Sequence, residues 1–167
     1  KTSIIKNFVE GAFPKDYIPT IGANFFVKNV FFEANQEEYE CQLGIWDIAG
    51  QIAWSAMRIQ YYKGADGVFV LGDLTQPRTF EQIDTFWVKD IRESLEKAPM
   101  ILLANKVDLI TAGFKLDEKK YLDKYGFKKI IKTSAKTGEN IQLSFQEIIK
   151  SILNIKDLKP LSHLKAK

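Results

Sequence analysis

Met100-Ile101-Leu102-Leu103-Ala104-Asn105-Lys106-Val107-Asp108 begins as a continuous apolar run and ends in polar side chains. A short apolar run without alternation is typical of a strand inside a parallel sheet, where both faces of the strand are covered. Similar runs alternate along the chain with amphipathic stretches of helix length, which predicts an α/β fold with a mostly parallel sheet. Because ligands bind beyond the carboxyl ends of such strands, we expect the functional residues near Asn105 and Asp108.

Five strands and five helices are predicted from the pattern of apolar residues. The strands cover residues 24–33, 38–46, 67–71, 100–104 and 129–133. The helices cover residues 2–9, 54–62, 79–96, 116–125 and 140–153. The first two strands form a hairpin around residues 34–37. The third helix carries an apolar stripe that we interpret as core, formed by Phe80, Ile83, Phe86, Trp87, Ile91 and Leu95.

Length and composition limit the classes of protein to which the chain can belong. A chain of 167 residues with 46% hydrophobic content can bury one substantial core, so we predict one domain. No apolar run reaches the roughly 18 residues of a membrane helix, and neither end resembles a secretory signal, so we expect a soluble protein. The 24 basic and 21 acidic residues leave a net charge of only +3, which argues against nucleic acid as a partner.

The cysteine content and the C-terminal residues bear on location. Cys41 is the only cysteine and cannot form an internal disulfide, which fits a reducing compartment, so we expect a cytoplasmic protein. Residues 156–167 read as a mildly basic tail without a cysteine, so the sequence as given carries no prenylation signal or other membrane anchor. Contact with a membrane surface would therefore go through partners.

Four short segments carry the polar residues from which a function can be inferred. Two follow predicted strands, Asn105-Lys106-Val107-Asp108 and Ser134-Ala135-Lys136. The other two are Asp47-Ile48-Ala49-Gly50-Gln51 and the opening Lys1-Thr2-Ser3, and Thr20 lies 19 positions after Lys1. At these separations the segments resemble the Ras superfamily of small GTPases. Residues 21–25, 45–47 and 61–67 are most similar to its Rab-like branch.

The resemblance implies a three-layer P-loop fold, in which helices flank a mostly parallel sheet of six strands with one antiparallel edge strand. In that family a first strand and a glycine-rich loop precede the residues that match Lys1-Thr2. We therefore expect the natural protein to have about 10 to 20 more residues at its start. The GTPase domain would cover residues 1–155, and the basic tail would cover residues 156–167.

Recognition of guanine is the first role that the resemblance implies. The carboxylate of Asp108 would accept hydrogen bonds from the ring N–H and the exocyclic amine of guanine, whereas adenine would leave this charge unpaired. Lys106 would lie along the base and ribose, Asn105 would tie neighbouring loops together, and the backbone N–H of Ala135 would meet the guanine carbonyl. A loop turn with a helix-capping Asp108 is the alternative. The further nucleotide-binding residues on this side are Phe13, Tyr17, Ser134 and Lys136.

Binding of the phosphates of GTP or GDP is the second implied role. Lys1 would reach the β- and γ-phosphates from the start of a helix whose positive end faces the anion, next to Thr2 and Ser3. Gly50 would offer its N–H to the γ-phosphate, since it has no side chain to obstruct the approach. Gln51 would orient the attacking water, so Gln51 and Lys1 are the predicted catalytic residues.

Binding of Mg²⁺ is the third implied role. Thr2 and Thr20 would ligate the ion through their hydroxyls, and Asp47 would hold it through a water. The backbone N–H of Thr20 would also sense the γ-phosphate. Taken alone, Asp47 could be a strand-end cap and Thr20 an ordinary loop residue.

The resemblance as a whole implies a monomeric switch that binds GTP, hydrolyses it slowly and acts through partners. These partners would be an exchange factor, a GTPase-activating protein and an effector. The effector would dock on Phe25, Trp46 and Tyr61, which match the family's aromatic trio, although the three rings could instead be buried. Ile52 departs from the family, which usually has an acidic residue after the glutamine, and so does Trp54, where phenylalanine is common.

Two other functions remain compatible with the sequence. A pseudo-GTPase would keep the fold and use its surface as a scaffold without nucleotide turnover. An ATP-using enzyme on the same kind of fold is the second rival, but Asp108 and Ala135 argue against it because both match residues that select guanine.

Overall fold

The computed structural model describes residues 1–14, 16, 19–50, 55–110 and 115–161. Within these residues the strands are β1 Ala23–Ala34, β2 Glu37–Ile48, β3 Val68–Asp73, β4 Met100–Asn105, β5 Lys129–Thr133 and β6 Lys159–Pro160. The α-helices are α1 Thr2–Glu10, α2 Ser55–Tyr62, α3 Arg78–Gln82, α4 Val88–Ser94 and α5 Ile141–Leu153. None of the described helices is long and apolar enough to span a bilayer.

The described strands form two sheets of three strands each. In one sheet β3, β4 and β5 pair in parallel, and in the other β1 lies between β2 and β6 and pairs antiparallel with both. Helices flank the strands, so the expected α/β fold with a parallel sheet is confirmed. Within the described ranges β2 and β3 each have one edge without a strand partner, and both strands line a cavity of about 820 Å³.

A two-residue turn joins β1 to β2. Asn35 and Gln36 have φ angles of 51° and 67°, and Ala34 pairs with Glu37 at the closed end. Left-handed residues at both turn positions give a turn whose twist matches that of the two strands. The hairpin predicted around residues 34–37 is therefore present, and the open ends of its arms lie near the functional site.

β4 explains why the apolar run shows no alternation. Its residues from Met100 to Ala104 are fully buried, and successive side chains point to opposite faces. Ile101 and Leu103 belong to a first core cluster with α1 and α5, which also contains Ile4, Phe8, Phe145 and Ile148. Met100, Leu102 and Ala104 belong to a second core cluster, which also contains Tyr62, Phe80, Ile83, Ile91 and Tyr121.

The helix predicted over residues 79–96 contains a π-helical turn, Ile83–Trp87, between α3 and α4. Most of the predicted stripe still packs into the second core cluster, which confirms its interpretation as core. Phe86 is half-buried and packs edge-on against Trp87, with ring centroids 5.0 Å apart. A second π-helical segment, Lys120–Lys124, lies in the helix predicted over residues 116–125. The spacing of apolar residues in the sequence does not predict either of these π-helical segments.

β6 lies in the stretch expected to be a tail. It pairs with β1 at Phe32 and Glu33, and Leu158 beside it is buried in the first core cluster. Pro160 is compatible with this position because an edge strand does not need an N–H on its outer side. A strand of two residues has no periodic pattern, which is why the sequence does not predict it.

A substitution at Gly72 on β3 would test the packing of the second core cluster. A Cβ at this position would lie 2.4 Å from the buried ring of Phe80. Gly72→Ala should therefore lower the free energy of unfolding by about 1 to 3 kcal/mol, because the ring must move within a filled core. Denaturant unfolding measures the change.

Gly44→Ala on β2 is the matched control. Its Cβ would meet the ring of Phe25 at 3.1 Å, but that ring is exposed and can move aside. The control should be close to neutral. Equal losses of stability in the two variants would contradict the account of the packing around Phe80.

Candidate functional site

The parallel register aligns three polar residues at one end of the β3–β5 sheet. Asp73 pairs with Asn105 across β3 and β4, and Asn105 pairs with Thr133 across β4 and β5. The buried hydroxyl of Thr133 donates to Oδ1 of Asn105 at 3.2 Å. The polar ends of the three strands therefore lie side by side, in the position where ligands bind to open parallel sheets.

Asn105 joins the loops that follow β3, β4 and β5. Its Oδ1 also accepts the backbone N–H of Ala135 at 3.1 Å, and its carbonyl accepts the N–H of Leu74 at 2.9 Å. This is the tying arrangement expected of Asn105. The same contact means that the N–H of Ala135, assigned from the sequence to a guanine carbonyl, is already bonded to a protein group.

Asp108 is held by one of its two carboxylate oxygens. Its Oδ1 accepts the hydroxyl of Ser134 at 2.6 Å, and Ser134 also accepts the N–H of Thr137 at 3.1 Å. Ser134 is fully buried, whereas Asp108 is exposed. An exposed carboxylate that is held through one oxygen can accept further hydrogen bonds from a ligand.

Lys106 lies beside these residues in a left-handed backbone conformation, with φ of 69°. Its Nζ lies 2.7 Å from Oδ2 of Asp73. Burial alone would raise the pKa of Asp73, but hydrogen bonds from Lys106 and Thr75 outweigh it and hold the pKa of this carboxyl below its ordinary value. The ion pair fixes the lysine stem across the carboxyl ends of β3 and β4.

Asp47 gathers hydroxyls from two distant segments. Its Oδ2 accepts hydrogen bonds from Thr2 at 2.5 Å and from Thr20 at 3.2 Å, and the two hydroxyls lie 3.0 Å apart. Asp47 is only 1% exposed, and its Oδ1 is buried without a partner among the described residues. A buried carboxylate oxygen without a partner is costly, which favours a cation or a bound water at this place.

Oxygen atoms dominate this site, which decides the kind of metal that fits. No three side chains of His, Cys, Asp or Glu gather within the described part of the chain. One carboxylate and two hydroxyls are hard donors, which suit Mg²⁺ and not a soft transition metal. The residues predicted to hold Mg²⁺ therefore lie together with compatible chemistry.

Lys1 and Gly50 approach each other at the start of α1. A Cβ on Gly50 would lie only 2.7 Å from Nζ of Lys1, so a side chain at this position would displace the ammonium. Burial lowers the pKa of Lys1, and the negative charge of Asp47 opposes that shift. The ammonium thus lies beside the hydroxyl cluster, at the N-terminus of a helix.

The remaining predicted residues fall into three groups. Ser3 is half-buried on α1, and Lys136 is exposed beside Ala135. The ring of Phe13 is 47% exposed and is therefore available to a ligand. Outside the described residues lie Tyr17, Gln51, Ile52 and Trp54.

Phe25, Trp46 and Tyr61 form one surface cluster. The rings of Phe25 and Trp46 are 4.7 Å apart, and those of Trp46 and Tyr61 are 5.2 Å apart. Phe25 is 53% exposed and Trp46 is 47% exposed, while Tyr61 is half-buried. The alternative that all three rings are simply buried is therefore wrong.

A buried polar cluster beside α2 has no signal in the sequence. Arg58 is 1% exposed, pairs with Asp90 at 3.2 Å and lies 4.9 Å from the ring of Trp87. Tyr62 donates to the same carboxylate at 2.8 Å, and its pKa is raised by burial and by this hydrogen bond. The cluster joins α2 to α4, and no local pattern connects residues so far apart in sequence.

Comparisons with known proteins show similarity to one family. The family model described as "Ras family" matches residues 1–154. The chain is 36% identical over 162 residues to Ras-related protein Rab-32A of Dictyostelium discoideum, covering 92% of this chain and 72% of that protein. It is 30% identical to Ras-related protein Rab-18 of Lymnaea stagnalis, covering 92% and 74% of the two chains. For Ras-related protein Rab-1 of Theileria annulata the identity is also 30%, with 91% and 68% covered.

Proposed function

The chain belongs to the Ras family of small GTPases, in its Rab-like branch, and we propose that it is a slow GTP-hydrolysing switch. It binds GTP with Mg²⁺, hydrolyses GTP to GDP and phosphate, and changes the order of two loops when the γ-phosphate is lost. One loop carries Thr20, and the other begins at Gly50.

One observation carries the proposal, namely the meeting of three segments at one buried carboxylate. Thr2, Thr20 and Asp47 come from α1, from the loop before β1 and from the end of β2, yet their side-chain oxygens lie within 3.2 Å of one another. A purely structural cap would need one hydroxyl and would leave no buried carboxylate oxygen without a partner. Two hydroxyls around a carboxylate fit the coordination of a divalent cation.

The residues present fit Mg²⁺ and the phosphates. When bound, Mg²⁺ would neutralise negative charge on the β- and γ-phosphates. Thr2 and Thr20 would supply the hydroxyl ligands, and Asp47 would orient a coordinated water. Lys1 would add a positive charge from the N-terminus of α1, and the N–H of Gly50 would bond to the γ-phosphate.

Selection of guanine rests on Asp108 and its support. The hydrogen bond from Ser134 holds one carboxylate oxygen, and the exposed position of Asp108 leaves the carboxylate accessible to the ring N–H and the exocyclic amine of guanine. Lys106, held by Asp73, would lie along the base. Adenine lacks the exocyclic amine at this edge and would leave the carboxylate poorly paired, so it binds less tightly.

Hydrolysis would be slow because no motif of this chain places an arginine at the phosphates to stabilise the transition state. The chain supplies only positioning groups and the charge of Lys1. Gln51 would align the attacking water, and Lys1 would offset charge in the transition state. Switches of this kind turn over at about 10⁻⁴ per second without help and accelerate when a partner adds an arginine. A GTPase-activating protein, an exchange factor and an effector are therefore the proposed partners of a monomeric switch.

The surface of Phe25, Trp46 and Tyr61 is the proposed effector site. Exposed aromatic rings in mutual contact offer large apolar area at low entropic cost. Trp46 precedes Asp47 on β2. A structural change at Asp47 after loss of the γ-phosphate would therefore occur one residue from the effector surface. A cytoplasmic location with membrane contact through partners fits a Rab-like switch.

The most direct test of the proposal is the identity of the bound nucleotide. Protein purified with its natural termini should release GDP or GTP on denaturation, close to one equivalent per chain, and chromatography of the supernatant identifies the base. Adenine nucleotide in place of guanine would contradict the proposal. Absence of any nucleotide, with no GDP binding after addition of Mg²⁺ and GDP, would favour the scaffold alternative.

Gln51→Leu tests the proposed hydrolysis. Loss of the amide that aligns water should slow single-turnover GTP hydrolysis by roughly ten- to a hundredfold, while affinity for GDP stays unchanged because Gln51 does not hold the base or the β-phosphate. Gln42→Leu, an exposed position on β2, is the control and should hydrolyse GTP at the wild-type rate. Equal rates for Gln51→Leu and the wild type would refute the role assigned to Gln51.

A further inference from the structure

The side-chain amide of Asn7 on α1 contacts the loop that follows β5. Nδ2 of Asn7 donates to the carbonyl of Ala135 at 3.1 Å, although the two residues are 128 positions apart. Ala135 is buried, so its carbonyl would otherwise lack a partner. A Cβ on Gly138 of the same loop would lie 3.6 Å from Oδ1 of Asn7, which places the amide against the loop.

The backbone donors of this loop can be counted one by one. The N–H of Ser134 donates to Glu139, that of Ala135 to Asn105, that of Thr137 to the Ser134 hydroxyl, and that of Gly138 to the Ser134 carbonyl. Over this stretch, among the hydrogen bonds between described residues, only the N–H of Lys136 has no acceptor. Backbone donors near a binding site that lack an internal acceptor are available to a ligand.

The free donor and the held carbonyl belong to the same peptide group. The amide between Ala135 and Lys136 is planar and trans, so its N–H points opposite to its C=O. Because Asn7 holds the carbonyl toward α1, the N–H of Lys136 points away from α1. Rotation of this peptide plane would break the bond to Asn7.

We propose that Asn7 is a positioning residue for base recognition, which orients the N–H of Lys136 toward the carbonyl oxygen of bound guanine. The inference rests on the proposed function and deepens it. Asn7 does not touch the nucleotide. The N–H of Ala135, the donor expected from the sequence, already donates to Asn105, so the N–H of Lys136 supplies a further donor.

The arrangement also connects the two halves of the nucleotide site. α1 begins at Thr2, beside the oxygens of Asp47, and carries Asn7 about one and a half turns later. A shift of α1 after loss of the γ-phosphate would therefore move the peptide group between Ala135 and Lys136, which contacts the base. The two ends of the nucleotide would be recognised by one rigid element.

Two variants of Asn7 distinguish a role in positioning the guanine base from a general loss of nucleotide affinity. Asn7→Asp keeps the shape of the side chain but removes the donor, and Asn7→Ala removes the contact altogether. Dissociation constants are measured by competition for GDP and for 2-aminopurine riboside diphosphate, which has no carbonyl oxygen on the base. The analogue binds more weakly from the start, so the comparison uses the ratio of variant to wild type for each nucleotide.

The expected result is a loss of about tenfold in GDP affinity, with a ratio close to one for the analogue. Asn140→Asp is the matched control, because the amide of Asn140 donates to the carbonyl of Lys132 at 2.8 Å and does not hold the peptide group in question. Its ratios should be the same for both nucleotides.

Equal losses for GDP and for the analogue in both Asn7 variants would overturn the inference and leave the proposed switch intact. Wild-type protein that binds no GDP would overturn the proposed function itself. Because Asn7→Asp is isosteric, it keeps the test valid if the alanine variant fails to fold.

Discussion

The register of three parallel strands is the constraint on which the rest of the site depends. The parallel register of β3, β4 and β5 places Asp73, Asn105 and Thr133 side by side at the ends of the strands. The three loops that follow these strands begin next to these residues. Lys106 is then fixed by Asp73, and Ala135 is fixed by Asn105. The apolar residues of β4 maintain this register, since a shift by one residue would exchange its two buried faces.

The phosphate side of the site depends on a different constraint, which is the burial of one carboxylate. Asp47 is nearly inaccessible, and a charge in this position is tolerated only with hydroxyl donors or a cation around it. The alternation of β2 places Asp47 inward and its neighbour Trp46 outward. In the proposed switch, the inner residue responds to Mg²⁺ and phosphate, and the outer one belongs to the surface that partners contact.

Much of this architecture is predictable from the sequence because it depends on local patterns. The runs at 100–104 and 129–133 predict β4 and β5 within one residue at each end, and Asn35-Gln36 lies in the predicted turn. The contacts that the sequence does not predict are all long-range. Arg58 meets Asp90 across two helices, β6 pairs with β1 from the far end of the chain, and Asn105 takes the N–H that a motif assigns to a ligand. Side-chain packing determines these contacts, and the periodic pattern of apolar residues in the sequence does not predict them.

Recognition of guanine by the carboxylate of Asp108 is the central claim, and a change of one atom tests it most directly. Asp108→Asn replaces an acceptor with a donor, which suits xanthine because xanthine has a carbonyl in place of the exocyclic amine of guanine. The account predicts that the variant loses at least about a hundredfold in affinity for GDP and gains affinity for xanthosine diphosphate, measured by competition on the protein with its natural termini. An unchanged preference for GDP over xanthosine diphosphate would contradict it.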